Sequence, residues 1–201
     1  MSLDLKQLRQ DMRRRRRQLA ASDQNQAALE LARHARSLHE FRNARAVAAY
    51  IAADGEADPW RIIDVAWMRN KQVYLPIVSH LGWEHLWFAP AEPDSMYREN
   101  RFGIPEPVVP RSTWLRATHL DLVLMPLVAF DRQGNRLGMG GGFYDRALAY
   151  LLRRKNWKRP RLFGLAHGFQ QVESLPRQHW DVPLDGIITE QHIIRFHKDA
   201  P

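Results

Sequence analysis

A chain of 201 residues that is 45% hydrophobic is long enough to bury a substantial core, and it reads as one domain over residues 1–201. Its net charge of +8 favours anionic partners, and no segment reaches the roughly 18 consecutive apolar residues that a helical membrane span needs. Without cysteine it has no disulfide, no thiolate metal site and no cysteine nucleophile, and its opening residues lack the apolar core of a secretory signal, so a cytoplasmic location is expected.

Leu5, Leu8, Met12 and Leu19 recur at helical spacing and predict an amphipathic helix over residues 3–20. Its arginines, Arg13, Arg14, Arg15, Arg16 and Arg17 among them, fall mostly on the other faces. A solvated face, a nucleic-acid contact and a polyphosphate contact are all compatible with that run. Ser22 and Asp23 suit the N-cap of a second helix with the stripe Ala28, Leu31, Ala35 and Leu38. A short strand over residues 47–51 follows, then a loop bearing Asp54, Glu56 and Asp58. Asp58 and Pro59 predict a cap and first position for a helix whose core face is Trp60, Ile63 and Trp67.

The next strand, residues 73–77, is expected to end at Pro76. Residues 85–89 suggest a further strand, antiparallel to it across Leu81 and Gly82. Residues 90–110, rich in proline and charge, read as loop with Phe102 and Ile104 as anchors. The apolar run 122–130 predicts a buried strand, followed by a polar turn and a glycine cluster. A helix carrying Ala147, Leu148, Leu151 and Leu152 comes after them. Residues 161–166 and 186–189 predict two more strands. Alternation of strands and helices after two opening helices indicates an α/β fold, a single layered domain with a mainly parallel central sheet flanked by helices.

The segment around Arg136, Leu137, Gly138, Met139, Gly140, Gly141, Gly142, Phe143, Tyr144 and Asp145 lies between strand and helix. Backbone N–H groups in such a loop can approach an anion, usually a phosphate. The loop lacks the Gly-Lys-Ser/Thr ending of a Walker A motif, and its glycines miss the dinucleotide-binding spacing. A tight turn in which glycine relieves crowding is the alternative. Asp145 could hold Mg²⁺ and Arg136 could supply a fixed cation.

FDRQGNRLGMGGGFYDR, with the preceding DLVLMPLVA, closely resembles the signature of 5-formyltetrahydrofolate cyclo-ligases, also called methenyltetrahydrofolate synthetases. The similarity extends to Leu8-Arg9, the loop with Glu56, Leu75-Pro76, the turn Gly103-Ile104-Pro105-Glu106-Pro107, Gly164-Leu165-Ala166 and Trp180-Asp181. The resemblance implies an ATP- and Mg²⁺-dependent conversion of 5-formyltetrahydrofolate to 5,10-methenyltetrahydrofolate with release of ADP and phosphate. In such a reaction the formyl oxygen is phosphorylated and the 10-position amine closes the ring.

By matching position, the resemblance implies an ATP site of Lys6, Arg9, Arg136, Leu137, Gly138, Met139, Gly140, Gly141, Gly142, Phe143 and Tyr144, with Arg136 catalytic. It implies folate contacts at Ile51, Glu56, Met139, Gly140, Gly141, Gly142 and Phe143, and metal binding at Asp145 and Asp181. The expected partners are ATP and 5-formyltetrahydrofolate, without membrane or nucleic acid, and a monomer is expected. The chain departs from the family pattern at Leu5 and Gly141, where many members carry lysine. Read without the resemblance, Glu56 is solvated charge, Asp181 caps a turn, and His167 and His179 are surface or hydrogen-bonded. Trp83, Trp87 and Phe88 then pack the core rather than stack on a ligand.

Overall fold

The computed structural model describes residues 4–78, 86–154 and 159–196. Asp4 caps the first helix, α1 (Leu5–Arg17), by accepting from the N–H groups of Lys6 and Gln7 at 2.9 and 3.1 Å. The second, α2 (Ala21–Ser37), starts earlier than its polar residues suggest. Ala20 is the N-cap, without a side-chain bond, and Ser22 and Asp23 lie inside the first turn. A cap is worth about 1 kcal/mol, whereas burying Leu31 alone contributes about 2 kcal/mol, so tertiary packing rather than capping fixes this helix. Leu38 closes α2 and opens a short helix, α3 (His39–Asn43), that the apolar periodicity did not reveal.

The sheet is assembled from β1 (Ala46–Ala48), β2 (Gln72–Val78), β3 (Leu86–Pro90), β6 (Leu122–Pro126), β9 (Arg161–Leu165), β10 (Gly186–Ile188) and β11 (Ile193–Arg195). Its seven strands run in the order β11-β10-β9-β6-β1-β2-β3, parallel throughout except for the antiparallel edges β3 and β11. Helix α4 (Trp60–Met68) makes the crossover from β1 to β2. Its buried face is Ile62, Ile63 and Ala66; Trp60, expected in the core, is instead exposed at the first turn, edge-on to Trp67 and Tyr97. The helix starts one residue later than expected: Pro59 is its N-cap, its carbonyl accepting from Ile62 and Ile63, while the Asp58 carboxylate, one residue before, accepts from the Trp60 N–H at 2.9 Å. Trp67 keeps a half-buried position by donating Nε1–H to the Ala91 carbonyl at 2.9 Å.

Pro76 does not end its strand. The backbone of its partner Phe88 exchanges hydrogen bonds with Leu115 instead, so Pro76 faces a non-bonded position of β3. On its other side β1 has already ended, since its pairing with β2 stops at Tyr74. A missing N–H costs nothing where no acceptor waits. His85, Leu81, Gly82 and Trp83 lie outside the described residues.

The segment 90–110 holds a two-stranded hairpin, β4 (Tyr97–Glu99) with β5 (Pro105–Pro107), rather than loop alone. Glu106 anchors it by accepting from the Val78 N–H and from Asn100 Nδ2, both at 2.8 Å. Phe102, expected as an anchor, is exposed and stands edge-on to Phe143, while Ile104 is half-buried. The apolar run 122–130 is also two strands. After β6 the chain turns at Leu127 and continues as β7 (Ala129–Phe130), paired with β8 (Arg136–Leu137) in a separate ribbon. Asp131, fully buried, builds the connecting turn: it accepts from Gln133 N, Asn135 N and Asn135 Nδ2 and also holds Leu175 N. Two short helices follow, α5 (Phe143–Leu148) and α6 (Tyr150–Arg153), broken at Ala149.

Leu31, Leu38, Phe41, Ile62 and Ile63 cover one sheet face. Leu120, Phe88 and Leu148 join the core of the other. Among the described residues no helix is long and apolar enough to cross a membrane.

Candidate active site

From β1 the chain proceeds to β2 on one side, then returns to β6 on the other and continues outward to β9 and β10. The order therefore reverses between β1 and β6, and ligands of open α/β sheets bind beyond the carboxyl ends of strands at such a point. Two loops start there: residues 49–59 after β1, and the chain after β6 that leads through β8 to the glycines.

Buried Tyr50 shapes the first loop by donating its hydroxyl to the Ala57 carbonyl. Asp54 and Gly55 both take positive φ, +54° and +72°, a region tolerated by Asp and natural to Gly. Glycine is required at 55 for a second reason: a Cβ would lie 2.8 Å from the Arg16 carbonyl carbon and oxygen. The loop is thus pressed against α1.

Charge reinforces that contact. Asp54 receives Arg13 at 2.6 Å, Arg16 at 3.2 Å and Arg17. Burial pushes its carboxyl up, but hydrogen bonds from Arg13 and Arg17 outweigh this and hold it below the usual aspartate range. Arg14 pairs with Asp11, and Arg15 lies over the Phe169 ring. The basic run is therefore not simply a solvated face, since each of its arginines has a partner in the chain. Arg16 is fully buried, in phase with Met12 at i+4, a spacing that already pointed inward.

Glu56 is half-buried; its Oε2 accepts from the Ala53 N–H at 3.2 Å, and its Oε1 lies 3.7 Å from Arg16 Nη1. Burial pushes its carboxyl above the usual range, against the Ala53 bond and the Arg16 charge. Ile51, also half-buried, packs against the core below. His167 is buried behind this loop, with Nε2 3.2 Å from the Gly55 carbonyl. Burial lowers its pKa, which favours a neutral ring donating from Nε2. His179 is exposed, edge-on to Trp180.

In the second loop, residues 138–141 are exposed, as is Met139, while Leu137 is buried beneath them. Gly140 and Gly142 have φ of +96° and +62°. Arg9 donates Nε–H to the Gly138 carbonyl at 2.9 Å, which ties α1 to this loop as well. Lys6 is exposed near the start of the same helix. The helix after the glycines has six residues, so its dipole adds little and the loop's own N–H groups carry any anion contact.

Arg136 is nearly buried, donating to Asp145 Oδ1 at 2.5 Å and to the Val182 carbonyl. Asp145 Oδ1 also accepts from the N–H of Val182, the residue after Asp181, at 3.2 Å. Asp181 does cap a turn, accepting from Gln178 N at 2.8 Å. Tyr144 packs against the core; burial raises its pKa most, with the Glu56 charge raising it further and the Arg136 charge lowering it. Trp87 lies under the Arg116 guanidinium and Phe88 is core. Among the described residues no group of three or more His, Asp or Glu side chains forms a ready metal cage.

Comparison with known proteins gives a consistent result. The family model of the 5-formyltetrahydrofolate cyclo-ligase family matches residues 2–190. A 5-formyltetrahydrofolate cyclo-ligase of Haemophilus influenzae is 44% identical over 184 residues, covering 90% of this chain and 95% of that protein. The enzyme of that name from Escherichia coli is 36% identical over 184 residues, covering 90% and 98%. The solved structure of a 5,10-methenyltetrahydrofolate synthetase from Aquifex aeolicus superposes with a TM-score of 0.79 at 29% identity, covering 98% of this chain and 95% of that one. The chain belongs to the 5-formyltetrahydrofolate cyclo-ligase family.

Proposed function

We propose that this family member converts 5-formyltetrahydrofolate to 5,10-methenyltetrahydrofolate, using ATP and releasing ADP and phosphate, as one catalytic unit over residues 1–201, acting as a cytoplasmic monomer. The observation that carries the reading is the meeting of two loops at the sheet's reversal point. One loop carries Glu56, read as the folate side, the other carries the glycines after Arg136, read as the nucleotide side, and helix α1 touches both, through Arg16 and Arg9.

The formyl oxygen of the substrate attacks the γ-phosphoryl group of ATP, and ADP leaves. The 10-position amine then adds to the formyl carbon and gives up its proton. The carbon–oxygen bond breaks, the oxygen departs on phosphate, and a C=N bond completes the ring. No protein nucleophile is needed, so the chain's task is positioning and charge stabilisation. The exposed N–H groups of residues 138–142 approach the phosphates, flanked by Arg9 and Lys6 from α1. Arg136 stabilises charge on the transferring group. Glu56 accepts from the amino group and ring N–H of the pterin, with Ile51, Met139 and Phe143 as the apolar wall.

A magnesium ion fits the donor set. Asp145 accepts from the amide of Val182, the residue after Asp181, each of the two carboxylates has one oxygen engaged in a described hydrogen bond, and Mg²⁺ takes one or two carboxylates together with phosphate oxygens and water. When bound it would neutralise phosphate charge. The decisive measurement is the near-ultraviolet absorbance of the methenyl product. It should rise only when ATP, Mg²⁺ and 5-formyltetrahydrofolate are all present, with one ADP formed per product. Product without ATP, or none at high enzyme concentration, overturns the proposal.

A further inference from the structure

We infer that Arg16 is a positioning residue for Glu56, holding that carboxylate in place at the carboxyl end of β1 without occupying the oxygen offered to the substrate. The inference rests on the folate-binding role proposed for Glu56.

A guanidinium with no exposed surface is costly to bury unless it is paired. Arg16 reaches three acceptors: Asp54 Oδ2 at 3.2 Å, the Leu127 carbonyl at 3.4 Å and Glu56 Oε1 at 3.7 Å. Two of the three do not depend on it. Asp54 has a closer partner in Arg13 at 2.6 Å, besides Arg17. The Leu127 carbonyl already accepts from Gln170 Nε2 at 2.9 Å. For Glu56, Arg16 is the one ion-pair partner among the described residues.

The separation matters chemically. At 3.7 Å the pair is too long for a hydrogen bond, so Arg16 supplies charge and leaves Oε1 its acceptor capacity. Oε2 is taken by the Ala53 N–H. Arg16 Nε has no hydrogen-bond partner, so the guanidinium is held by its two terminal nitrogens, both directed at this loop and at the end of β6. The same helix delivers Arg9 to Gly138. Helix α1 thereby sets both halves of the site.

The groups facing Glu56 are Arg13 and Arg16 from α1, Asp54 from its own loop, Tyr50 at the start of that loop and Tyr144 from α5. Removing Arg16 takes away a cation, so the Glu56 pKa rises and its ionised form appears only at higher pH.

The test compares R16M, R16K and E56Q full-length enzymes for kcat, both KM values, melting temperature and the pH profile of kcat/KM for 5-formyltetrahydrofolate. R16M should raise the folate KM about tenfold while moving the ATP KM less than about twofold, and should shift the acid limb to higher pH. R16K should retain the acid limb. In the E56Q background R16M should add little, as expected of residues acting through one another. Parallel rises in both KM values with an unmoved acid limb would show a merely structural residue and overturn the inference. If R16M yields no soluble enzyme, a shifted acid limb in R16K overturns it equally. If E56Q leaves the folate KM unchanged, the Glu56 reading fails and the inference falls with it. If E56Q raises that KM and R16M does not, the Arg16 inference fails alone.

Discussion

Arg136 Nη2 and Asp145 Oδ1 stand 2.5 Å apart, joining the start of β8 to the first turn of α5 across the glycine loop. The cation proposed for phosphoryl transfer is therefore held by a carboxylate proposed for the metal. Its second nitrogen is fixed on the Val182 carbonyl. Arg136→Ala should lower kcat by about 10²–10³-fold with a smaller change in the ATP KM, because the lost interaction grows as charge develops. Arg136→Lys should not restore it, since an ammonium cannot span both acceptors in the plane of a guanidinium. Steady-state kinetics with unchanged kcat in Arg136→Ala would remove the residue from the mechanism.

The glycines differ in what they can test. Gly140 and Gly142 have positive φ, so alanine there strains the turn whatever the ligand does. Gly138 is free of that strain: its φ lies outside that region, and an added Cβ meets nothing within 4 Å. Gly138→Ala should melt within about 1 °C of the parent while raising the ATP KM several-fold, if ligand phosphates approach this backbone. An unchanged KM at an unchanged melting temperature would mean that the loop's glycines serve the turn alone.

Among the described residues the Asp181 carboxylate makes one hydrogen bond, accepting from the Gln178 N–H. Asparagine keeps an acceptor oxygen for that bond and loses the charge. Asp181→Asn should hold its melting temperature while increasing the Mg²⁺ concentration for half-maximal activity about tenfold. A metal titration that superposes on the parent's would leave Asp181 as a turn cap.

The clamp on Asp54 is legible in its pH dependence. Its folded pKa lies below the ordinary 3.8, so its stabilisation is complete above that value and fades as pH falls through the folded one. Asparagine tolerates the positive φ at this position. Parent and Asp54→Asn should therefore differ by a constant ~1 kcal/mol in denaturant unfolding above about pH 5, with the gap narrowing toward pH 3. A gap that widens in acid would contradict the clamp.

Much of this layout is written in the chain. The runs at β6, β9 and β10 are apolar enough to be read as buried strands, and the glycine loop lies where its composition puts it. What escaped has local physical causes. Leu127 and Val128 are as apolar as the strand they interrupt, so composition could not show the turn between β6 and β7. Ile193–Arg195 is too short for alternation to stand out, although β11 completes one sheet edge. Pro76 was misread because a proline's cost depends on which side of the ladder is unpaired, which sheet order alone decides. Arg16 sat in the apolar phase of its helix, yet its neighbours in the arginine run masked that signal. That the loops leading to Glu56 and to Arg136 leave the same end of the sheet follows from β1 and β6 being adjacent, a pairing between strands far apart in sequence.

Helix α1 adds a matter of timing. It joins the body through side chains, from Arg13, Arg16 and Arg17 to Asp54 and, farther along the chain, from Arg16 to Leu127 and Arg9 to Gly138, partners 111 and 129 residues away, and donates nothing to the sheet's ladders. Contacts that close such long loops form late. No tryptophan lies before Trp60, so intrinsic fluorescence reports the body without its first helix. On dilution from denaturant, fluorescence should recover before activity. A single shared rate for both would mean that helix and sheet assemble together. In the newly made protein helix α1, which emerges before the sheet, would then take up its work after it.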